Sequence, residues 1–419
     1  MLGRRPLVRN IMFLFSSQGL AYLVPLLTIP YLMRSLGTVG FGVYSLAMAV
    51  SGYLQIPMEY GFALSGTREV ARNRDDNDAL LDLFWSVTWT KIAIGLASVV
   101  VLAVVVLVVP SLRAQAGLMA LAGLGAAVSA FFPTWLLQGL EKMKDLARLS
   151  ILTRLLNAGF IFLMVHSPQH LWRLLVWAIL INLATTTHAH ILAFQGKTWR
   201  VVPPRWKTIQ EQLHSGLGVF LSQVGFLLYA NTNLIMLSIW HSPEVVGAYA
   251  VAEKIMRAAA MMTYAISQAI YPVSSRVFAE SKARGEEFLR KVVKWTFAPI
   301  AVGCVLLFLL AGPLIRLFTG ASSEETVSVL RLFAPLPLSI YLCNLFGSQV
   351  LLTLGKDREY FTGTLLAGGL AVALQFAVVP AFGAQGAALC LVVAEIGLLG
   401  VYAWFTRRMG IRIAPVVGV

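Results

Sequence analysis

Ile92-Ala-Ile-Gly-Leu-Ala-Ser-Val-Val-Val-Leu-Ala-Val-Val-Val-Leu-Val-Val-Pro-Ser-Leu112 runs 21 residues without a charge, and its reading decides the fold. A hydrocarbon core of about 30 Å is crossed by roughly 20 apolar residues wound as a helix. The stretch has the length of one crossing, and its unbroken apolar character argues for a helix over an alternating barrel strand. Trp295 to Ile315 is a second uncharged run of 21 residues. Tyr360 to Ala394 is uncharged for 35, too long for one span, and its centre Pro380-Ala-Phe-Gly383-Ala-Gln-Gly386 reads as a turn between two. Working outward gives an all-α integral membrane protein of twelve transmembrane helices, at 8–34, 39–65, 80–110, 114–140, 147–166, 170–195, 213–240, 244–278, 288–318, 325–354, 358–380 and 384–406. Pro25, Pro30, Pro57, Pro133, Pro272, Pro335 and Pro337 fall inside these spans and predict kinks, which a bundle tolerates because neighbouring helices re-satisfy the freed carbonyls.

Composition agrees. Of the 419 residues 58% are hydrophobic and 12% charged, against about 25% charged in a soluble domain. So few charges cannot clothe a soluble globule, and so apolar a chain does not stay disordered. Cys304, Cys343 and Cys390 sit in apolar stretches, as buried small hydrophobes rather than a disulfide framework or metal site. The basic start (Arg4, Arg5, Arg9) leads into a segment too long for a signal-peptide core, so it reads as a retained first helix. No GxxxxGK[ST] string occurs, which argues against an ATPase.

The formal charge of +14 has its source in the loops. With an even number of spans both termini share one side, and 25 of the 33 basic residues fall there, including Arg68, Arg72 and Arg74, the group around Lys142, and the 276–294 cluster. Arg34, Arg113, Arg173, Arg316 and Arg331 fall on the other. The bias makes both termini cytoplasmic and explains the charge without nucleic acid.

An internal repeat is visible. An offset of 205 aligns Phe15, Ser17 and Gln18 with Phe220, Ser222 and Gln223, and Gly42, Tyr44 and Ala47 with Gly247, Tyr249 and Ala252. An offset of 214 aligns Leu137, Leu140 and Lys142 with Leu351, Leu354 and Lys356. A six-span repeat keeps its orientation, giving two parallel lobes: residues 1–195, a basic, proline-bearing cytoplasmic linker 196–212, and residues 213–419.

Pro25-Leu-Leu-Thr-Ile-Pro30-Tyr31-Leu-Met-Arg34-Ser-Leu-Gly37, Gly40-Phe-Gly42-Val-Tyr44 and Gly61-Phe-Ala-Leu-Ser65-Gly-Thr67-Arg68-Glu69-Val-Ala71 resemble the amino-terminal signature of polysaccharide-exporting flippases. These are the O-antigen and exopolysaccharide translocases of the MOP (multidrug, oligosaccharidyl-lipid, polysaccharide) superfamily. Gln138-Gly139-Leu-Glu141-Lys142-Met and Leu354-Gly355-Lys356 are similar to the family's loops after the fourth and tenth helices. The resemblance implies a V-shaped two-lobed transporter of the bacterial cytoplasmic (inner) membrane. Its cargo would be undecaprenyl-diphosphate-linked glycan, flipped to the periplasmic leaflet with H+ or Na+ as coupling ion and no cofactor. Implied partners are membrane lipids, a polysaccharide polymerase and the chain-length machinery. One departure is Asn233, in Tyr229-Ala-Asn231-Thr-Asn233-Leu, where many relatives carry an acid.

Charges inside spans cost about 2.5–3.5 kcal/mol each at a helix centre, so each needs a reason. In Glu253-Lys254-Ile-Met-Arg257, Glu253 and Arg257 are i, i+4 neighbours able to pair, and Lys254 lies about 100° round the helix. Either Lys254 and Arg257 attract the diphosphate, or the group is a self-neutralising pair beside a snorkelling lysine. Glu59 and Glu395 have no basic residue within four positions; each, with Glu253, is a candidate ion-coupling acid, or a neutral acid bonded to another helix. Lys91, near the cytoplasmic end of the third span, is expected to snorkel. Arg34 and Arg68, at opposite mouths, touch phosphate or sugar or else anchor helix ends. Trp85, Trp89, Trp135, Trp172, Trp177, Trp240 and Trp404 suit an interfacial belt, and Trp135 and Tyr44 are also candidates for sugar stacking. His188 and His190 point about 200° apart on a helix and cannot share a metal.

Three functions compete: the lipid-linked oligosaccharide flippase, a multidrug or lipid II exporter of the same superfamily, and a membrane polysaccharide polymerase or ligase. The short, nearly uncharged outer connections, with His166 and His170 in one of them, disfavour the enzyme.

Overall fold

The computed structural model describes residues 4–411 except 199 and 322, without the side chains of 4–23, 26, 64, 222, 226 and 229–231. The side chains of Arg4, Arg5, Arg9, Phe15, Ser17, Gln18, Ser222, Tyr229 and Asn231, used above, lie outside that description. The chain divides into two compact units, 1–224 and 225–419. Its helices are α1 (Arg4–Glu59), α2 (Phe62–Arg72), α3 (Asn77–Val108), α4 (Pro110–Arg113), α5 (Ala116–Ala130), α6 (Thr134–Gly139), α7 (Met143–Met164), α8 (Leu171–Ala193), α9 (Trp206–Trp240), α10 (Pro243–Glu280), α11 (Lys282–Leu309), α12 (Ala311–Thr319), α13 (Glu324–Phe333), α14 (Leu336–Phe346) and α15 (Asp357–Arg408). No strand occurs among the described residues. The fold is all-α.

Eight segments of the described residues are long and apolar enough to cross a bilayer. One is the 52-residue α15, which leaves helical geometry at Gly383 (φ 53°). Its arms pack antiparallel, with Gly363 against Tyr402 and Gly397 against Leu370, so the Pro380–Gly386 turn is present. In α1, Gly37 (φ 67°) makes a similar interruption. Helices α9 and α10 are outside the eight; α10 carries three charges in five residues.

Four of the expected spans are broken. The 39–65 span stops at Glu59, and Tyr60 (φ 40°) and Gly61 (φ 77°) turn the chain into the amphipathic α2. A Cβ at Gly61 would lie 2.8 Å from the Gly216 carbonyl oxygen, so the turn also serves a close approach. The 114–140 span breaks between α5 and α6 at Pro133, which lacks a donor and keeps Phe132 from continuing the helix. The 325–354 span breaks at Pro335 and resumes as α14, followed by a π-helical turn, Gly347–Leu352. The 288–318 span breaks at Leu310 between α11 and α12. Pro25, Pro30, Pro57 and Pro272 remain inside helices.

The repeat at offset 214 has a backbone counterpart. In the first unit Lys142 N–H donates to Leu137 O at 2.8 Å around left-handed Glu141 (φ 59°). In the second, Lys356 N–H donates to Leu351 O at 2.8 Å around left-handed Gly355 (φ 70°). Both are the same six-to-one helix ending.

Residues 197–208 are tied to the first unit. Arg200 pairs with Asp78 at 2.9 Å, Trp85 Nε1 donates to Arg200 O, and Asp82 takes Arg205 at 3.3 Å and Thr208 at 2.8 Å.

Candidate functional site

Helix α10 carries Glu253, Lys254 and Arg257 into the interior of the second unit, where it packs against α11, α13, α14 and α15. Ala248, Ala250 and Ala252 let those neighbours close in, and every residue from Val246 to Glu253 is buried. Glu253 is 2% exposed, and its Oε1 accepts from Arg257 Nη2 at 2.8 Å and Nε at 3.1 Å. The i, i+4 spacing makes this pairing local, so it forms with the helix itself. The Arg257 side chain is 35% exposed and leads outward from the buried acid. Lys254, half-buried on the adjoining face, has no hydrogen bond or ion pair among the described residues. One turn before Glu253, the buried Tyr249 lies edge-on to Phe333, and its hydroxyl has no hydrogen-bond partner.

The same unit buries other polar side chains. Glu395, on the second arm of α15, is 3% exposed, and Cys343 Sγ donates to its main-chain oxygen. Gln375 on the first arm and Asn233 on α9 are fully enclosed, and neither amide has a hydrogen-bond partner at either atom among the described residues. Gln349, in the π-helical turn, donates to Ser267 O at 3.0 Å. Enclosing an unpartnered amide is costly, which makes these positions candidates for ligand contact. Asn233 was noticed in the sequence only as a missing acid. Gln375 and Gln349 carry no charge and give no comparable signal in the sequence.

In the first unit Arg34 is exposed just ahead of Gly37, and Arg68 is exposed on α2. They belong to different ends: Tyr31 meets His166 at 2.9 Å, whereas Arg74, just past α2, pairs with Glu141 at 3.0 Å. Glu59, the last residue of α1, is half-buried and accepts from Gln55 Nε2 at 2.7 Å. The five charges Glu253, Lys254, Arg257, Glu59 and Glu395 therefore do not form one cluster: four lie in the second unit and Glu59 in the first.

Lys91 does not snorkel. It is 4% exposed, donates to Ala130 O at 2.5 Å and lies 5.9 Å from the Phe62 ring centroid. Ala130 ends α5, and the break at Pro133 leaves its carbonyl without a helical partner, which the ammonium supplies. Trp135 is likewise not interfacial. At 4% exposure it packs in the first unit's core with its ring against Gly66, which removes it from both the belt and sugar stacking. His188 is exposed, whereas His190 bonds Thr186 O and faces Phe84.

Residues 7–278 match the family described as Polysaccharide biosynthesis protein. The chain belongs to this family. A protein of Escherichia coli (strain K12) named "Putative O-antigen transporter" is 31% identical over 415 residues, covering 96% of each chain. A Shigella dysenteriae protein of the same name is 25% identical and covers 93% of this chain and 97% of its own. Among solved structures, lipid II flippase MurJ in an inward closed conformation superposes with a TM-score of 0.74 at 12% identity, covering 96% of this chain and 87% of that one. An inward-facing multidrug resistance MATE family transporter of the MOP superfamily gives 0.65 at 16% identity, covering 93% and 98%. This family member therefore shares the fold of these two solved proteins.

Proposed function

We propose that this polysaccharide biosynthesis protein is a transporter, not an enzyme, that flips undecaprenyl-diphosphate-linked oligosaccharide from the cytoplasmic to the periplasmic leaflet by alternating access. The observation that carries the reading is the charged turn of α10. Glu253 neutralises Arg257, while Lys254 brings a further ammonium into a mostly apolar bundle without an ion-pair partner. A cation kept there at the cost of desolvation suits a phosphate ligand. The O-antigen transporter name of the relatives supports the same cargo class.

In this reading the chain crosses the inner membrane twelve times. The eight apolar segments are joined by the second arm of α15, by α9 and α10, and by the part of α1 ahead of Gly37. Two six-helix lobes, 1–195 and 213–419, flank the 196–212 linker, with both termini cytoplasmic. Arg34 and Arg68 contact the head group at the outer and inner mouths. Glu59, Glu395 and Glu253 are the acids through which H+ or Na+ drives the cycle, and the unpartnered Asn233 and Gln375 amides supply neutral oxygens. The polymerase and chain-length machinery act on the delivered glycan.

The test is removal of the gene. Lipid-linked glycan accumulates on the cytoplasmic leaflet if the reading is right. Accumulation on the outer leaflet points to a polymerase, and no accumulation to a drug exporter.

A further inference from the structure

At the end of the first unit that carries the 166–170 connection, α1, the α4–α5 junction and the start of α8 enclose a groove of about 440 Å³. Its floor is aliphatic, formed by the buried Leu36, Val43 and Leu171. Gln115, Gln169 and Trp172, the last 51% exposed, bring polar atoms to a lining that is otherwise apolar. Gly40 permits the arrangement, since a Cβ there would press on Leu36 and Pro168.

The charge around the groove has one sign. The Arg173 guanidinium lies over the Trp172 ring, 5.6 Å from its centroid. Arg113 ends α4 two residues before Gln115. The contributing stretches 31–43, 109–118 and 162–173 contain no Asp or Glu. An aliphatic floor with two glutamine amides in its lining and arginines beside the lining residues Trp172 and Gln115 matches a ligand that has a hydrocarbon tail and a negative head. Pockets of about 300–1,000 Å³ suit small ligands, so part of one acyl chain fits while a long polyprenyl chain overruns the floor.

We propose that this groove binds an anionic glycerophospholipid. One acyl chain lies on Leu36, Val43 and Leu171, the phosphate faces Arg173 and Arg113, and the Gln115 and Gln169 amides donate to its oxygens. The site is independent of the cargo assigned above.

The full chain in nanodiscs tests this with acyl-brominated phosphatidylglycerol or phosphatidylcholine in a zwitterionic background. The Trp172 emission is read as the difference between wild type and Trp172→Phe. Phosphatidylglycerol is expected to half-quench it at about tenfold lower mole fraction than phosphatidylcholine, in keeping with two basic residues near a headgroup. Arg113→Gln with Arg173→Gln, both exposed positions, removes the difference while the protein elutes as a folded species. Equal quenching by the two lipids overturns the proposal. Displacement of brominated phosphatidylglycerol by equimolar undecaprenyl diphosphate also overturns it, since the groove would then hold the carrier lipid.

Discussion

Lys91 in the first unit and the Glu253–Arg257 turn in the second are both charges inside the bundle, and they are satisfied differently. Lys91 has no acid bonded to it; its ammonium finishes a helix by taking the Ala130 carbonyl. Arg257 is neutralised by an acid on its own helix, one turn away. The first arrangement uses up its charge in holding the fold. In the second, Lys254 is half-buried and has no hydrogen bond or ion pair among the described residues. Burial of a charge therefore does not by itself mark a site; what the charge has already bonded decides.

The largest expected effect breaks the pair in the second unit. Arg257→Leu leaves Glu253 buried alone and should lower stability by about 3 kcal/mol, read as a fall in thermal melting in detergent. Glu253→Gln with Arg257→Leu should recover most of that loss. Lys91→Met should cost about 1–3 kcal/mol, because the Ala130 carbonyl loses its donor. Export per folded molecule should stay at the wild-type level in a cell-surface polysaccharide assay. A loss of export at unchanged stability would show that Lys91 acts in transport and not only in closing the end of α5.

A finer comparison uses glycines. Gly66→Ala places a Cβ 2.8 Å from the Trp135 ring in the first unit, and Gly363→Ala one 2.5 Å from Tyr402 in the second. Overpacking of this kind costs about 1–3 kcal/mol, and Gly363→Ala should be the worse in denaturation profiles. The smallest effect is Tyr249→Phe. Its hydroxyl has no partner, so removal should leave stability unchanged or raise it by up to about 1 kcal/mol.

The membrane class, the turn at Gly383 and the Glu253–Arg257 pairing were legible because each rests on local rules: span length, turn residues and i, i+4 spacing. The breaks at Pro133 and Pro335 were legible as prolines but not as breaks, because Pro57 and Pro272 remain inside helices and only packing separates the cases. Lys91 was misread because its partner is a main-chain oxygen 39 residues away, which side-chain spacing cannot reveal. Gln375 gives no signal in the sequence because it is neutral, although burial makes its amide nearly as demanding as a charge.

The diphosphate site proposed here is Lys254 beside the Glu253–Arg257 pair, and not buried cations in general. The direct measurement is flipping of undecaprenyl-diphosphate-linked glycan by purified protein in liposomes, comparing Lys254→Ala with Lys91→Met at matched amounts of folded protein. The account predicts at least a tenfold loss for Lys254→Ala, about 1.4 kcal/mol or more, and wild-type flux for Lys91→Met. Wild-type flux from Lys254→Ala, and from its combination with Arg257→Ala, would contradict it.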